Sequence, residues 1–117
     1  MIDRFAFAAQ CHEREPINQS TSHHDMIIGS LRVRLLLRES RSLKDKRQVV
    51  QSIKDRLRNT FNVSVAEIEA QENRQIAILG IAMVSNEAHH LKVVLGQILE
   101  ALRCHPVAEL LDHEMEV

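Results

Sequence analysis

The architecture follows from a change of apolar period within residues 26–60, MIIGSLRVRLLLRESRSLKDKRQVVQSIKDRLRNT. Over residues 27–38, apolar side chains alternate with a second set that includes Arg32, Arg34 and Arg38. A period of two indicates a strand with one buried face and one more polar face. We therefore predict that the domain opens with a strand.

The period then changes to that of a helix. Ser42 and Asp45 form a capping-box pattern, in which the serine caps the helix and the aspartate reaches back. The apolar residues that follow recur at helical spacing, which predicts a helix over residues 43–60. Its apolar stripe consists of Leu43, Val49, Val50, Ile53, Leu57 and Phe61.

The remaining chain alternates strands with one more helix. Residues 62–69 and 75–84 are typical of strands, and residues 107–117 of a closing strand. The run 75–84 is apolar on both parities, which favours a central strand covered on both sides. Between it and the closing strand lies a second helix, for which we expect capping by Ser85 or Asn86 and an end enforced by Pro106.

The predicted order βαββαβ favours an α+β fold, the ferredoxin-like plait, over other topologies. In this plait two helices cover one face of a four-stranded antiparallel sheet, with strands one and three central and strand four beside strand one. We assign the domain to residues 26–117. Residues 1–25 show no sustained period and predict a flexible N-terminal extension.

Composition excludes several classes of protein. The chain has 117 residues, which suits one domain, and no apolar run approaches the roughly 20 residues needed to span a bilayer. No secretory signal is visible, and Cys11 and Cys104 cannot form a disulfide framework. These features predict a cytoplasmic protein without membrane contact.

Charge is distributed unevenly along the chain. The formal net charge is -1, but residues 26–58 carry +7 and residues 59–117 carry -6. Such asymmetry favours an anionic partner for the basic segment, or mutual neutralisation of the two segments within one fold.

Three segments resemble a known bacterial family. They are SRSLKDKRQVVQSIKDRLRNTFNVSVAE (40–67), MVSNEAHH (83–90) and HPVAELLDHEMEV (105–117), and residues 26–117 as a whole resemble the YlxP-like family, a domain of unknown function. The resemblance implies a ferredoxin-like fold and a small cytosolic protein. Genes of this family often lie beside translation-initiation and ribosome-maturation genes, which implies a role near the ribosome. It implies no catalytic residues.

The first helix carries the clearest candidate binding site. Four cationic residues at spacings of three, four or seven share one stripe beside its buried side. Two arginines in the preceding loop extend the stripe, and together these side chains predict contacts with successive phosphates of folded RNA. The alternative is a solvated helix face balanced by Asp45 and Asp55. The stripe consists of Lys44, Arg47, Lys54 and Arg58, called the basic row below, and the loop residues are Arg38 and Arg41.

For Arg32 and Arg34 the sequence favours a structural role over ligand binding. On the face away from the helices they match the parity of Asp112, Glu114 and Glu116 in strand four, so we expect cross-strand ion pairs. The strands offer no aromatic platform for stacking bases, so any nucleic-acid contact is expected to be directed at phosphates.

The residues predict neither an enzyme nor a metal or cofactor site. His89 and His90 are adjacent and point in different directions, and the histidines near the C-terminus lack zinc-ligand spacing. The loop 38–42 has no glycine for a phosphate cradle, and we expect Cys104 to be a packed residue.

The sequence thus predicts a non-catalytic accessory factor that binds ribosomal RNA or a ribosomal subunit. A homodimer through the uncovered sheet face is also expected, because one set of apolar side chains of strand three is left exposed there. The alternative function is a dimeric protein–protein interaction module, in which the basic row contacts an acidic protein.

Overall fold

A computed structural model describes residues 25–117; all but the last residue of the predicted extension 1–25 therefore lies outside the described residues. Six elements follow one another in the predicted order. They are β1 (Ile27–Leu36), α1 (Leu43–Thr60), β2 (Ser64–Glu69), β3 (Ile76–Ser85), α2 (Ala88–Arg103) and β4 (Glu109–Glu116).

The strands form one antiparallel sheet in the order β2-β3-β1-β4. Strands one and three are central, and strand four lies beside strand one. This arrangement, with its two helices, confirms the α+β ferredoxin-like plait.

The core lies between one face of the sheet and the two helices. Leu31, Val33 and Leu35 of β1 are buried there, as are Leu79 and Ile81 of β3. The helices add their apolar stripes to this layer, and α2 approaches β1 closely at Gly29. A Cβ at Gly29 would lie 3.1 Å from Leu95 Cδ1, so a side chain at this position would require Leu95 to shift by a few tenths of an ångström.

Helix α1 begins and ends where its sequence predicts. Ser42 Oγ accepts a hydrogen bond of 3.1 Å from the Asp45 backbone N–H, and the Asp45 carboxylate accepts one of 3.2 Å from the Arg41 N–H. This reciprocal arrangement satisfies donors at the helix start that have no partner within the helix. Val50, Ile53 and Leu57 of the predicted stripe are buried.

Helix α2 begins differently from the prediction. Its N-cap is Glu87, whose side chain makes no capping hydrogen bond, so the expectation of Ser85 or Asn86 at this position was wrong. Ser85 Oγ instead accepts a hydrogen bond of 3.2 Å from the Glu87 N–H, just before the helix. The serine therefore closes the turn between β3 and α2.

The third strand is covered on one side only. Ala77, Leu79, Ile81 and Met83 are buried beneath the helices, whereas Ala82 and Val84 are exposed on the other side. For residues 25–117, the plait prediction of both helices on one side of the sheet is confirmed, whereas the cover on both sides that the run 75–84 alone favoured is absent. We call the uncovered side the open face.

Candidate nucleic-acid interface

The basic row lies on the outer flank of α1. The buried residues of this helix are Lys46, Val50, Ile53 and Leu57, and the row lies about 105° around the helix axis from their centre at 100° per residue. Arg58 Nη2 donates a hydrogen bond of 2.7 Å to the Val65 carbonyl oxygen of β2, an edge strand. Arg56 lies on the opposite flank, where its charge acts on His105 beyond α2. The row therefore follows the β2 side of the domain, away from α2.

The row is accessible and carries uncompensated charge. Lys44, Arg47 and Arg58 are exposed, and Lys54 is half-buried. Within residues 25–117, none of the four forms an ion pair with a carboxylate.

The two aspartates of α1 are engaged elsewhere. Asp45 accepts the Arg41 backbone N–H, and Asp55 accepts a hydrogen bond of 2.8 Å from Gln51 Nε2. Neither forms an ion pair with a side chain of the basic row. Asp55 nevertheless lines the same shallow groove as Lys44 and Arg47, so the groove is not uniformly positive.

Several arginines outside α1 have carboxylate partners. Arg34 Nη1 lies 3.8 Å from Asp112 Oδ2, and Arg103 Nη1 lies 2.6 Å from Glu100 Oε1. These arginines are offset by carboxylates, whereas the cations of the basic row are not in the described structure. Positive charge is therefore concentrated on one flank of α1.

The two loop arginines differ in their surroundings. Arg38 Nε and Nη2 both lie 2.9 Å from Glu109 Oε2, so a carboxylate from the acidic half of the chain offsets this cation. Arg41 is exposed and lines a cleft that also contains Arg74. Arg41 therefore adds more net positive charge than Arg38 to the surface next to the basic row.

The open face shows the predicted pairing of β1 with β4 and its register. Arg32 lies opposite Glu114, and Arg34 lies opposite Asp112. Arg34 forms the expected ion pair with β4, but Arg32 Nη2 instead lies 2.8 Å from Glu69 Oε1 of β2. The predicted partner of Arg32 was therefore wrong.

The intervening strand explains this difference. Arg32 lies directly opposite Gly80 of β3, and a glycine places no side chain on the open face. The Ile68 side chain of β2 lies over Gly80, with Cγ2 3.1 Å from the position of a Cβ there, and Arg32 reaches Glu69 across β3. Residues that share a face of a sheet can interact diagonally as well as directly across, which the parity of the sequence alone does not reveal.

Sequence reasoning missed a buried ion pair on the inner side of α1. Lys46 is fully buried, and its Nζ lies 2.8 Å from Glu67 Oε2 of β2. The same ammonium group donates a hydrogen bond to the carbonyl oxygen of Ala70, which has a left-handed φ of 61°. The signal was present, because position 46 lies four residues before Val50 on the buried stripe.

Two residues near the end of α2 have distinct environments. Burial lowers the pKa of His105 below its usual value of 6.5, and the positive charge of Arg56 lowers this pKa further. His105 Nδ1 accepts a hydrogen bond of 3.2 Å from the Val107 N–H, which requires the unprotonated nitrogen. Cys104 is exposed, so the expectation that it is packed was wrong.

Within the described part of the chain, no three His, Cys, Asp or Glu residues cluster closely enough to hold a metal ion. Neither α1 nor α2 is long and apolar enough to cross a membrane.

Fold and surface together define a small α+β plait with a cationic helix flank. A family model described as "Protein of unknown function (DUF503)" matches residues 28–115, and the chain belongs to this family. It is also similar to the "Uncharacterized protein YlxP" of Bacillus subtilis (strain 168). The two are 34% identical over 83 residues, which cover 71% of this chain and 90% of that protein. The family resemblance of the sequence is therefore confirmed.

Proposed function

We propose that the protein is a non-catalytic accessory factor that acts in the cytoplasm and binds RNA, with ribosomal RNA as the expected target. The observation that carries this proposal is the basic row, an accessible line of cations that no described carboxylate pairs with. The ribosomal part rests on the gene neighbourhood that the family resemblance implies.

The dimensions of the row suit a nucleic-acid backbone. Lys44 and Arg58 are 14 residues apart, which is about 21 Å along a helix at about 1.5 Å per residue. Each cation that contacts a phosphate releases condensed counterions, so the affinity falls as salt rises. Four contacts predict a slope of log K against log salt of about -3.6 on a duplex.

The strands argue against readout of unstacked bases. None of β1 to β4 contains Phe, Tyr or Trp, the side chains on which many sheet-based RNA-binding domains stack bases. Binding through the row is therefore expected to depend on RNA shape and phosphates, with weak sequence preference.

The test is fluorescence anisotropy with a labelled RNA stem-loop at salt concentrations from about 50 mM to about 200 mM. The double variant Lys44→Glu with Arg47→Glu removes two contacts and adds repulsion, so we expect its affinity to fall at least 100-fold. Arg32→Ala is the matched control, because Arg32 is paired with Glu69 on the open face. Its affinity should stay within about twofold of the wild type, since exposed paired charges contribute little.

An acidic protein is the competing partner for the row. Poly-L-glutamate serves as its probe in the same assay, at the same concentration of negative charge. Tight binding of poly-L-glutamate without RNA binding, or equal RNA binding by the double variant, would refute the RNA proposal.

A second role, self-association, is favoured by the open face. Ile28, Ile68 and Val84 are 58%, 44% and 56% exposed, and all lie on β1, β2 or β3. Four strands spaced by about 4.8 Å, with a mean length of about 28 Å, present about 540 Å² per copy. Two copies packed face to face would bury about 1,000 Å², the lower bound for a specific interface.

The self-association proposal is a homodimer through this face. Sedimentation equilibrium at micromolar concentration should show a dimer that Val84→Glu converts to a monomer. Lys92→Glu, an exposed change on α2, is the control and should leave the dimer intact. A wild-type monomer would refute this role without bearing on RNA binding.

A further inference from the structure

A cleft lies between two loops at the end of the sheet where α1 begins. Its volume is about 540 Å³. One wall comes from the loop before α1 and the other from the turn between β2 and β3. The lining residues are Ser40, Arg41, Glu72, Asn73, Arg74 and Gln75.

Hydrogen bonds hold the two walls together. The Leu37 N–H donates to the Gln75 carbonyl oxygen at 2.7 Å, and Gln75 Nε2 donates to the Arg38 carbonyl oxygen at 3.1 Å. These contacts join segments that are far apart in the sequence. The two backbone segments that carry Arg41 and Arg74 are therefore held beside each other.

The cleft is rich in hydrogen-bond donors. Asn73 Oδ1 accepts hydrogen bonds of 2.8 Å and 2.9 Å from the N–H groups of Gln75 and Ile76. Only the amide oxygen can accept a hydrogen bond, so these contacts fix the orientation of the Asn73 amide. The NH2 group of Asn73 is then a donor at the cleft. In the structure of residues 25–117, neither Arg41 nor Arg74 forms an ion pair.

We propose that this cleft binds one backbone phosphate of the RNA that runs along the basic row; this inference rests on the proposed function. Two guanidinium groups from separate segments line the cleft, and arginine donates paired hydrogen bonds to phosphate. Arg41 lies three residues before Lys44, so the cleft continues the basic row beyond the start of α1. Arg74, which lies outside the basic segment of the sequence, thereby joins the RNA-binding surface.

The carboxylate of Glu72 provides a second test, in which the expected change in RNA affinity has the opposite sign. It lines the same cleft and repels an anion bound there. The electrostatic account therefore requires that loss of Arg74 weakens RNA binding and that loss of the Glu72 charge strengthens it.

The experiment measures the RNA stem-loop affinity of Arg74→Gln and Glu72→Gln as a function of salt. We expect Arg74→Gln to bind about tenfold more weakly, with a salt slope reduced by about 1, as for the loss of one phosphate contact. Glu72→Gln should bind two- to fivefold more tightly. Arg103→Gln is the control, because Arg103 is paired with Glu100 on α2, and it should change the affinity by less than twofold.

The outcomes separate the two proposals. If the wild type binds RNA and Arg74→Gln behaves like Arg103→Gln, the cleft does not hold a phosphate, while the proposed function stands. If Glu72→Gln weakens binding, the electrostatic account of the cleft is overturned. If the wild type shows no salt-dependent binding at all, the proposed function itself fails.

Discussion

The buried pair of Lys46 and Glu67 provides a direct test of how α1 is attached to the sheet. Lys46 is 0% exposed and the Glu67 side chain is 15% exposed, so neither charge has full access to water. Glu67 Oε2 is buried and has no hydrogen-bond partner in the described structure, although the Lys46 ammonium lies 2.8 Å away. The attraction of Lys46 is therefore the main compensation for this buried carboxylate oxygen.

The substitution Lys46→Met keeps an unbranched side chain, shorter by one atom, and removes its charge. It leaves the Glu67 carboxylate without its cation and removes the hydrogen bond to the Ala70 carbonyl oxygen. Breaking a buried pair in this way costs about 3–5 kcal/mol. A domain of this size has a free energy of unfolding of about 5–15 kcal/mol, so a large fraction of the stability is lost.

The assay is urea unfolding followed by far-UV circular dichroism, since the chain has no Trp or Tyr to report by fluorescence. Arg34→Met is the matched control: it removes an exposed pair with Asp112, for which we expect about 0–1 kcal/mol. The double variant Lys46→Met with Glu67→Leu removes both charges and should recover most of the loss. Equal destabilisation by Lys46→Met and Arg34→Met would refute the reasoning.

Three further predictions concern α2 and its surroundings. Gly96→Ala should raise the free energy of unfolding by about 0.5–1 kcal/mol in urea unfolding, because a Cβ there meets no atom within 4 Å and alanine favours the helix; no gain would contradict this. Gly29→Val should lower it by about 1–3 kcal/mol in the same assay, because the added atoms collide with Leu95; an unchanged value would show that α2 yields easily. The lowered pKa of His105 means that the unfolded chain binds more protons than the folded chain just below pH 6.5, so stability should fall as pH decreases through that range. Arg56→Gln should raise the His105 pKa in an NMR titration and flatten this dependence, and an unchanged pKa would exclude the charge of Arg56 as a cause.

The sequence predicts most of the fold because period and capping agree locally. The change from alternation in β1 to helical spacing in α1 fixes both elements, and Ser42 marks the boundary between them. The pairing of β1 with β4 was also predictable, because the plait places these strands side by side and their opposite charges share one face. Apolar period, capping and parity can all be read from residues that are close together in the sequence.

Features that depend on contacts between distant segments were not predicted. Arg32 lies opposite Gly80 of β3 and reaches across this strand to Glu69 of β2. Lys46 has the sequence character of an exposed cation, but its place on the buried stripe brings it to Glu67. Arg74 joins Arg41 in one cleft through the folding of two loops.

The candidate interface was predictable only in outline. Helical spacing placed Lys44 and Arg47 on one flank, but spacing does not reveal which cations meet a carboxylate. Arg38 is offset by Glu109 across the domain, and Arg58 also donates to the backbone of β2. Among the described residues, Arg41, Lys44 and Arg47 at the start of α1 form no ion pair.

The most direct test of RNA binding through α1 is co-sedimentation of the full chain with ribosomal subunits at about 50 mM and about 200 mM salt. We expect the wild type to sediment with a subunit at the lower concentration and to be released at the higher one. The Lys44→Glu, Arg47→Glu double variant should remain in the supernatant at both. Equal sedimentation of the wild type and the double variant, or no sedimentation of the wild type at low salt, would contradict the proposal.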